Sequence, residues 1–187
     1  MKKKILWTLR LAYESDVPAL DEMIPLSARV LQAAHYTPPQ IEAALGPIFG
    51  VDRRLIRDGA YFVAVSEPGL IVGCGGWSKR RSLYGSDAGR PEDAFLDVRH
   101  DPARIRAFFV HPDWARQGIG CGILATCEAA IVGTGFRTVE LVAALPGEPL
   151  YASSGYEVVQ RYELSLPNEL TLPVVRMTKT LTALLAM

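Results

Sequence analysis

Net charge is the first thing missing: twenty Lys and Arg residues balance twenty Asp and Glu residues over 187 positions. A balanced chain has no field to gather a polyanion, so nucleic-acid binding would need a local basic stripe. Lys2, Lys3 and Lys4 near the terminus and the pair Arg80 and Arg81 are too short for one and read as solvated charge. Long apolar runs are also missing. Arg10 and Glu14 break the segment after the lysines before it reaches the ~7 unbroken apolar residues of an export signal, and no stretch approaches the ~20 of a membrane span. A cytoplasmic protein without a membrane or nucleic-acid partner is expected. Cysteine is scarce: Cys74, Cys121 and Cys127 are odd in number and lack a C-x-x-C spacing, which argues against a disulfide framework or a zinc site and predicts buried thiols. Two nucleotide fingerprints are absent as well. No Gly-Lys-Ser or Gly-Lys-Thr marks a P-loop, and no Gly-x-Gly-x-x-Gly marks a dinucleotide fold.

What is present suits a single domain over 1–187, with 49% hydrophobic and 21% charged residues, enough to bury a core. Residues 8–12 read as a strand, and Asp16 stands where a cap belongs before the apolar pattern Val17, Leu20, Ile24, Val30, Leu31 of a first helix. Pro25 predicts a kink or break near Ile24. Thr37-Pro38-Pro39 opens a short helix through 40–45, and 52–57 forms a further turn. Strands over 61–66 and 70–78 flank Glu67-Pro68-Gly69 as a hairpin, followed by a polar loop over 79–103. A strand over 104–110, a helix over 117–132 and a strand over 138–144 make one β-α-β unit. A short helix at 149–154 and strands over 156–166 and 174–181 complete the chain.

The chemistry concentrates in His111-Pro112-Asp113-Trp114-Ala115-Arg116-Gln117-Gly118-Ile119-Gly120-Cys121-Gly122, where a strand passes into a helix. Glycines let a ligand approach the backbone, the first amides of a helix lack intrahelical acceptors, and the helix dipole adds about half a positive charge there. Together these make an anion cradle, to which Arg116 adds a full charge. A pyrophosphate without a ribose diol to bind at the next strand end, as in coenzyme A, fits this spacing better than a dinucleotide.

From Phe108-Phe109-Val110-His111-Pro112 through Arg116-Gln117-Gly118-Ile119-Gly120 to Tyr151-Ala152-Ser153-Ser154-Gly155-Tyr156, the chain resembles the GCN5-related N-acetyltransferase (GNAT) superfamily. The family pattern is a strand ending in Val-x-Pro, then Arg/Gln-x-x-Gly-x-Gly/Ala, a helix, a strand, and Tyr-x-x-x-Gly-Phe/Tyr. Aligning Gly118 and Gly120 with the family glycines puts Ala115 at the polar first position; starting from Gln117 restores a polar residue but moves the cradle away from Val-x-Pro. The first register is preferred. The resemblance implies an α/β (α+β) GNAT fold, a mixed, mostly antiparallel central sheet of about seven strands with helices on both faces.

It further implies acetyl-CoA as co-substrate, without a metal, held by Phe108, Phe109, Val110, Arg116, Gln117, Gly118, Ile119, Gly120 and Cys121. Backbone amides near Phe109 and Val110, where the fourth strand splays from the fifth, would hold the oxyanion. Tyr151 stands where the family places the acid that protonates the leaving thiolate. The base that frees the amine is open among His35, His111, Asp113 and Glu148. Family substrate regions point to His35, Tyr36, Trp77, Ser78, Arg80, Arg81 and Tyr84, and the basic pair Arg80 and Arg81 beside Trp77 suggests an acceptor carrying an anionic group. Transfer to a small-molecule amine by direct attack in a ternary complex is the preferred reading. A protein or peptide N-acetyltransferase and a catalytically silent acyl-CoA sensor are the alternatives, and a homodimer is common in the superfamily.

Overall fold

The computed structural model describes residues 6–85 and 93–181. Lys2, Lys3 and Lys4, and positions 86–92 of the expected polar loop, lie outside the described residues. Strand β1 (Trp7–Leu11) leads through a 3-10 turn into α1 (Val17–Leu31), followed by α2 (Pro38–Ala44) and α3 (Arg53–Arg57). The hairpin β2 (Tyr61–Ser66) and β3 (Ile71–Ser78) precedes β4 (Ala103–Val110), α4 (Ile119–Gly133), β5 (Thr138–Ala144), α5 (Glu148–Ser153), β6 (Glu157–Ser165) and β7 (Thr171–Thr180). The strands form a seven-stranded sheet in the order β1-β2-β3-β4-β5-β7-β6. Every pairing is antiparallel except β4 with β5. This is the mixed, mostly antiparallel sheet expected.

Two cores cover its two faces. Leu20, Ile24 and Ala28 of α1 pack with Ile41 of α2, Tyr61 and Leu172 on one side. Ile123, Cys127 and Ile131 of α4 pack with Val139, Val175 and Met177 on the other. The apolar positions of α4 recur at the spacing of helical turns, so one stripe of the helix meets the sheet. No described helix is long and apolar enough to cross a membrane.

Several local expectations shift by a physical reason. Helix α1 continues unbroken through Pro25, its core contacts outweighing the lost ladder bond. Asp16 does not cap α1 with its side chain. Its carboxylate instead accepts from the Tyr13 amide at 2.8 Å and pairs with both Arg10 terminal nitrogens at 2.7 and 2.9 Å. Thr37 does cap α2, accepting from the Gln40 amide at 3.4 Å, with the two prolines in the first turn where no N–H is needed. Strand β7 starts before Pro173 because that residue pairs only with Glu163 of β6, one position ahead of the first rung with β5, so its missing N–H leaves nothing unpaired. The ends of the polar loop zip together, Leu96 N donating to Lys79 O at 2.8 Å and Arg81 N to Ala94 O at 3.1 Å.

Candidate active site

Strands β4 and β5 are paired only through Ala103 with Val139 and Arg104 with Glu140. Above that point the two no longer pair with each other, β4 running to Val110 beside β3 and β5 to Ala144 beside β7, and a fork opens in the sheet. At its base, buried Glu140 of β5 holds Arg104 of β4 and Arg176 of β7, a charge cluster that ties three strands together. A cavity of about 690 Å³ fills the fork. Its walls come from both sides of the sheet: Cys121, Leu150 and Tyr151 from the α4 and α5 side, Gln32, Phe49 and Leu172 from the α1 side.

The turn into α4 leaves main-chain donors without acceptors among the described residues. Arg116 and Gly118 both adopt left-handed backbone, with φ of 63° and 83°, which swings the chain round so that α4 begins at Ile119. Gly118 caps the helix without a side chain, and the first intrahelical bond runs from Gly122 N to Gly118 O at 2.9 Å. Among the described residues, the amides of Ile119, Gly120 and Cys121 have no acceptor. These donors stand at the positive end of a 15-residue helix. A Cβ on Gly118 would meet nothing within 4 Å, so the approach is open, whereas one on Gly120 would come within 3.0 Å of Leu150 Cδ2. The third glycine has a different reason: a Cβ on Gly122 would lie 2.7 Å from Trp7 Cη2, so it lets α4 settle on the sheet. Gln117 ties its side-chain amide back to Asp113 O at 3.3 Å, and Arg116 stands exposed at the cavity rim, in no ion pair among the described residues.

The end of β4 carries a bulge. Ala107 has φ of 57°, and the register with β3 shifts between Cys74 and Gly76. The carbonyl of Ala107 turns to accept the Tyr61 hydroxyl at 3.1 Å. His111 N donates to Val72 O of β3 at 2.9 Å, and successive strand amides face opposite edges, so Val110 N–H faces the fork. Phe109 packs edge-on to Phe49 at 6.0 Å on the α1 side. Phe108 lies against Gly75, where a Cβ would meet its ring at 2.5 Å, and edge-on to Tyr151 at 6.0 Å.

Tyr151 of α5 is only 6% exposed yet lines the cavity. Its hydroxyl has no hydrogen-bond partner among the described residues. Burial pushes its pKa well above the ordinary tyrosine value, with a smaller contribution from neighbouring Cys127, so the phenol holds its proton.

The structure thus brings Phe108, Phe109, Val110, Arg116, Gly118, Ile119, Gly120, Cys121 and Tyr151 to one cavity; Gln117 borders the same turn. The residues expected to bind the acceptor are scattered. Tyr36 is buried and bridges elements, its hydroxyl donating to Pro173 O at 2.7 Å and accepting from Leu145 N at 2.8 Å. Trp77 packs edge-on to Phe136 at 6.4 Å within the α4-side core. His35 and Arg81 are exposed and are not among the cavity walls. The reading of an anionic acceptor also loses its support, because the Arg80 guanidinium is buried against Asp58, at 2.7 and 2.9 Å, and lies over the Phe95 ring. Cys121 departs from the expectation of buried thiols: it is exposed at the first turn of α4, where the helix meets the cavity, while Cys74 and Cys127 are buried.

The four candidate bases stand elsewhere. Glu148 is paired with Arg161 at 2.6 Å, His111 Nδ1 accepts from Asp113 N at 3.2 Å, and neither these two nor His35 and Asp113 line the cavity. On the α1 side Tyr84, one of the residues named from the family substrate regions, lines the cavity, and sequence reasoning missed Gln32, Ile48, Phe49, Leu164 and Leu172. They come from the ends of unrelated elements and share no spacing that could have announced them. Among the described residues, no group of three or more His, Cys, Asp or Glu side chains could hold a metal ion.

Comparison with known proteins agrees with this geometry. A family model described as an acetyltransferase (GNAT) domain matches residues 57–158. A solved GCN5-related N-acetyltransferase from Rhodopseudomonas palustris is similar, with 21% identity over 93% of this chain and 95% of that one and a TM-score of 0.69. The PaiA N-acetyltransferase of Thermoplasma acidophilum, solved in complex with coenzyme A, is 13% identical over 95% of this chain and 100% of its own, with a TM-score of 0.64. A phosphinothricin acetyltransferase from Sinorhizobium meliloti, in complex with acetyl-CoA, is 22% identical over 95% of this chain and 89% of its own, with a TM-score of 0.61. At such identities these likenesses speak for the fold alone. No curated protein matches the chain.

Proposed function

Because the chain belongs to the GNAT acetyltransferase family, whose model spans more than half of it, we propose that it moves an acetyl group from acetyl-CoA to the amine of a small molecule by direct attack. The observation that carries this reading is the set of acceptor-less amides at Ile119, Gly120 and Cys121 opening onto the same cavity as Tyr151 and the end of β4. The whole chain acts as one domain in this reading, in the cytoplasm.

The residues fit the co-substrate. The left-handed turn at Arg116 and Gly118 presents three main-chain donors to a pyrophosphate, with Arg116 at the rim to neutralise charge. Acetyl-CoA supplies an activated thioester carbonyl. Val110 N–H, directed into the fork, is a fixed donor for the negative charge that develops on that carbonyl oxygen, and a fixed dipole in a site shielded from water needs no reorganisation as the charge appears. The Tyr151 hydroxyl keeps its proton because it is buried, so it offers the departing thiolate a hydrogen bond as the C–S bond breaks. The cavity takes its walls from both the α4 side and the α1 side of the sheet, which suits two reactants meeting in a ternary complex without a covalent enzyme intermediate.

A titration of acetyl-CoA by calorimetry, followed by a thiol-release assay against amines and peptides, tests this reading. Saturable nucleotide binding with thiol release on addition of a small amine is expected. Binding without release for any acceptor would favour a sensor, and release with peptides alone would favour the protein-modifying alternative.

A further inference from the structure

The acceptor half of the cavity has its own chemistry. On the α1 side the walls are mainly apolar, drawn from Leu31, Ile48, Phe49, Leu164, Leu172 and Val174. The one charged side chain on that side among the described residues, Arg106, is 6% exposed and paired with Asp52 at 2.7 Å, also donating to Gly85 O at 2.6 Å. No carboxylate and no histidine line the cavity among the described residues. An ammonium group entering such a space would lose its hydration with no anion to replace it, a penalty that favours entry as the neutral amine.

One polar atom there lacks a partner. Gln32, the residue that closes the C-terminal end of α1, is 8% exposed, lines the cavity, and its Oε1 is enclosed without a hydrogen bond. A buried acceptor left unsatisfied costs free energy, which a turn of the Gln32 side chain toward an incoming N–H would recover. Gln32 comes from the end of α1, a different element from the turn that precedes α4.

We propose that the acceptor is an amine with an apolar, aromatic-sized body and no second charge, bound in its neutral form, with Gln32 Oε1 accepting one of its N–H groups. This rests on the N-acetyltransferase reading and narrows it to a substrate class, and it makes Gln32 a specificity-determining residue. Loss of the ammonium proton then takes place in solution before binding, and the second N–H proton, released as the amide forms, ends on the departing thiolate as the free thiol, so the balance closes without a carboxylate or histidine. An alkylamine with a pKa near that of lysine, about 10.4, is almost entirely protonated at neutral pH, and its productive fraction grows about tenfold per pH unit.

The test compares 2-phenylethylamine with its less basic β,β-difluoro analogue, and with spermidine and glutamate, in thiol release under saturating acetyl-CoA. Both phenylethylamines should turn over, with kcat/KM at least about tenfold above spermidine and glutamate. The pH at which kcat/KM levels off should follow the pKa of each amine. Gln32→Leu should lower kcat/KM for the amine by about tenfold, the worth of one buried hydrogen bond, and leave the KM for acetyl-CoA unchanged. Gln32→Glu should bring the levelling-off to lower pH by admitting the ammonium form. Faster turnover of spermidine or glutamate, a levelling pH common to both phenylethylamines, or no turnover of either despite calorimetric binding of acetyl-CoA would each overturn the inference and leave the nucleotide reading standing. Absence of acetyl-CoA binding to the wild-type protein would overturn both.

Discussion

At the scale of single residues, burial decides what each polar group can do. Tyr151 and Tyr36 are both buried phenols in the same molecule, 6% and 4% exposed, yet they differ in partners. Tyr36 has both a donor and an acceptor and so is spoken for, whereas the Tyr151 hydroxyl has neither among the described residues and faces the cavity. Replacing Tyr151 with Phe therefore removes no intramolecular hydrogen bond, and the melting temperature should stay within error of wild type. If the phenol donates a hydrogen bond to the departing thiolate, kcat should fall by about a hundredfold with little change in the KM for acetyl-CoA. Steady-state kinetics and a thermal melt on one preparation check both halves. The opposite pattern, lost stability with unchanged kcat, would mark Tyr151 as packing alone. The same contrast explains Arg80: a basic residue in a loop reads as solvated or substrate-facing, but a bidentate partnership with Asp58 has taken its charge, and Asp58 is held below the usual carboxylate range by that guanidinium.

At the scale of elements, the start of α4 separates two jobs that one glycine pattern conceals. Gly118 is left-handed with φ of 83° and opens outward; Gly122 faces the indole of Trp7. Gly118→Ala should cost about 1 kcal/mol for the backbone and, by disturbing the amides that follow, weaken acetyl-CoA by about tenfold. Gly122→Ala should leave nucleotide affinity alone. Its crowding against Trp7, partly offset by the better helix propensity of alanine, should give a net loss of about 1 kcal/mol. Calorimetry and urea unfolding on the two variants distinguish the roles. Tyr36 ties the segment after α1 to β7 and to the residue following β5, across the acceptor side of the fork. Tyr36→Phe leaves Leu145 N–H unpaired and should destabilise by about 2 kcal/mol in urea unfolding, with a higher KM for the amine as the wall loosens.

At the scale of the whole molecule, the sheet is a fork held at its base by charge and lined above mainly by neutral groups. The two cores bury several groups in their neutral forms, and this fixes how stability responds to pH. Burial pushes Cys74 up from its ordinary 9.0 to about 12, and likewise raises Cys127, Tyr61, Tyr151 and Tyr156. The unfolded chain releases these protons first, so the folded state is fully stabilised below pH 9.0 and loses that contribution as pH rises from 9.0 toward about 12. On the acid side, Asp16 and Asp58 are lowered from 3.8 by Arg10 and Arg80, so their contribution is present above 3.8 and lost as pH falls below it. Thermal melts across pH should show a plateau that drops at both ends. A melting temperature still rising at pH 10 would contradict the assignment of neutral buried thiols and phenols.

How much of this was legible in the chain itself follows from the range of the forces involved. Local signals set the element order: alternation in β2 and β4, helical spacing in α1 and α4, the Thr37-Pro38-Pro39 start of α2, and the glycine turn whose amides have nowhere local to bond. These are matters of backbone sterics and unsatisfied hydrogen bonds within a few residues, so composition and spacing suffice. Tertiary structure alone decided most of the α1-side wall, because Gln32, Phe49, Leu164 and Leu172 meet only when the fork between β4 and β5 folds them together. It also decided the fates of Trp77 and Arg80, one drawn into the α4-side core and the other neutralised by Asp58. A side chain's type announces what it can do, but which partner reaches it first is settled by contacts between residues far apart in the chain.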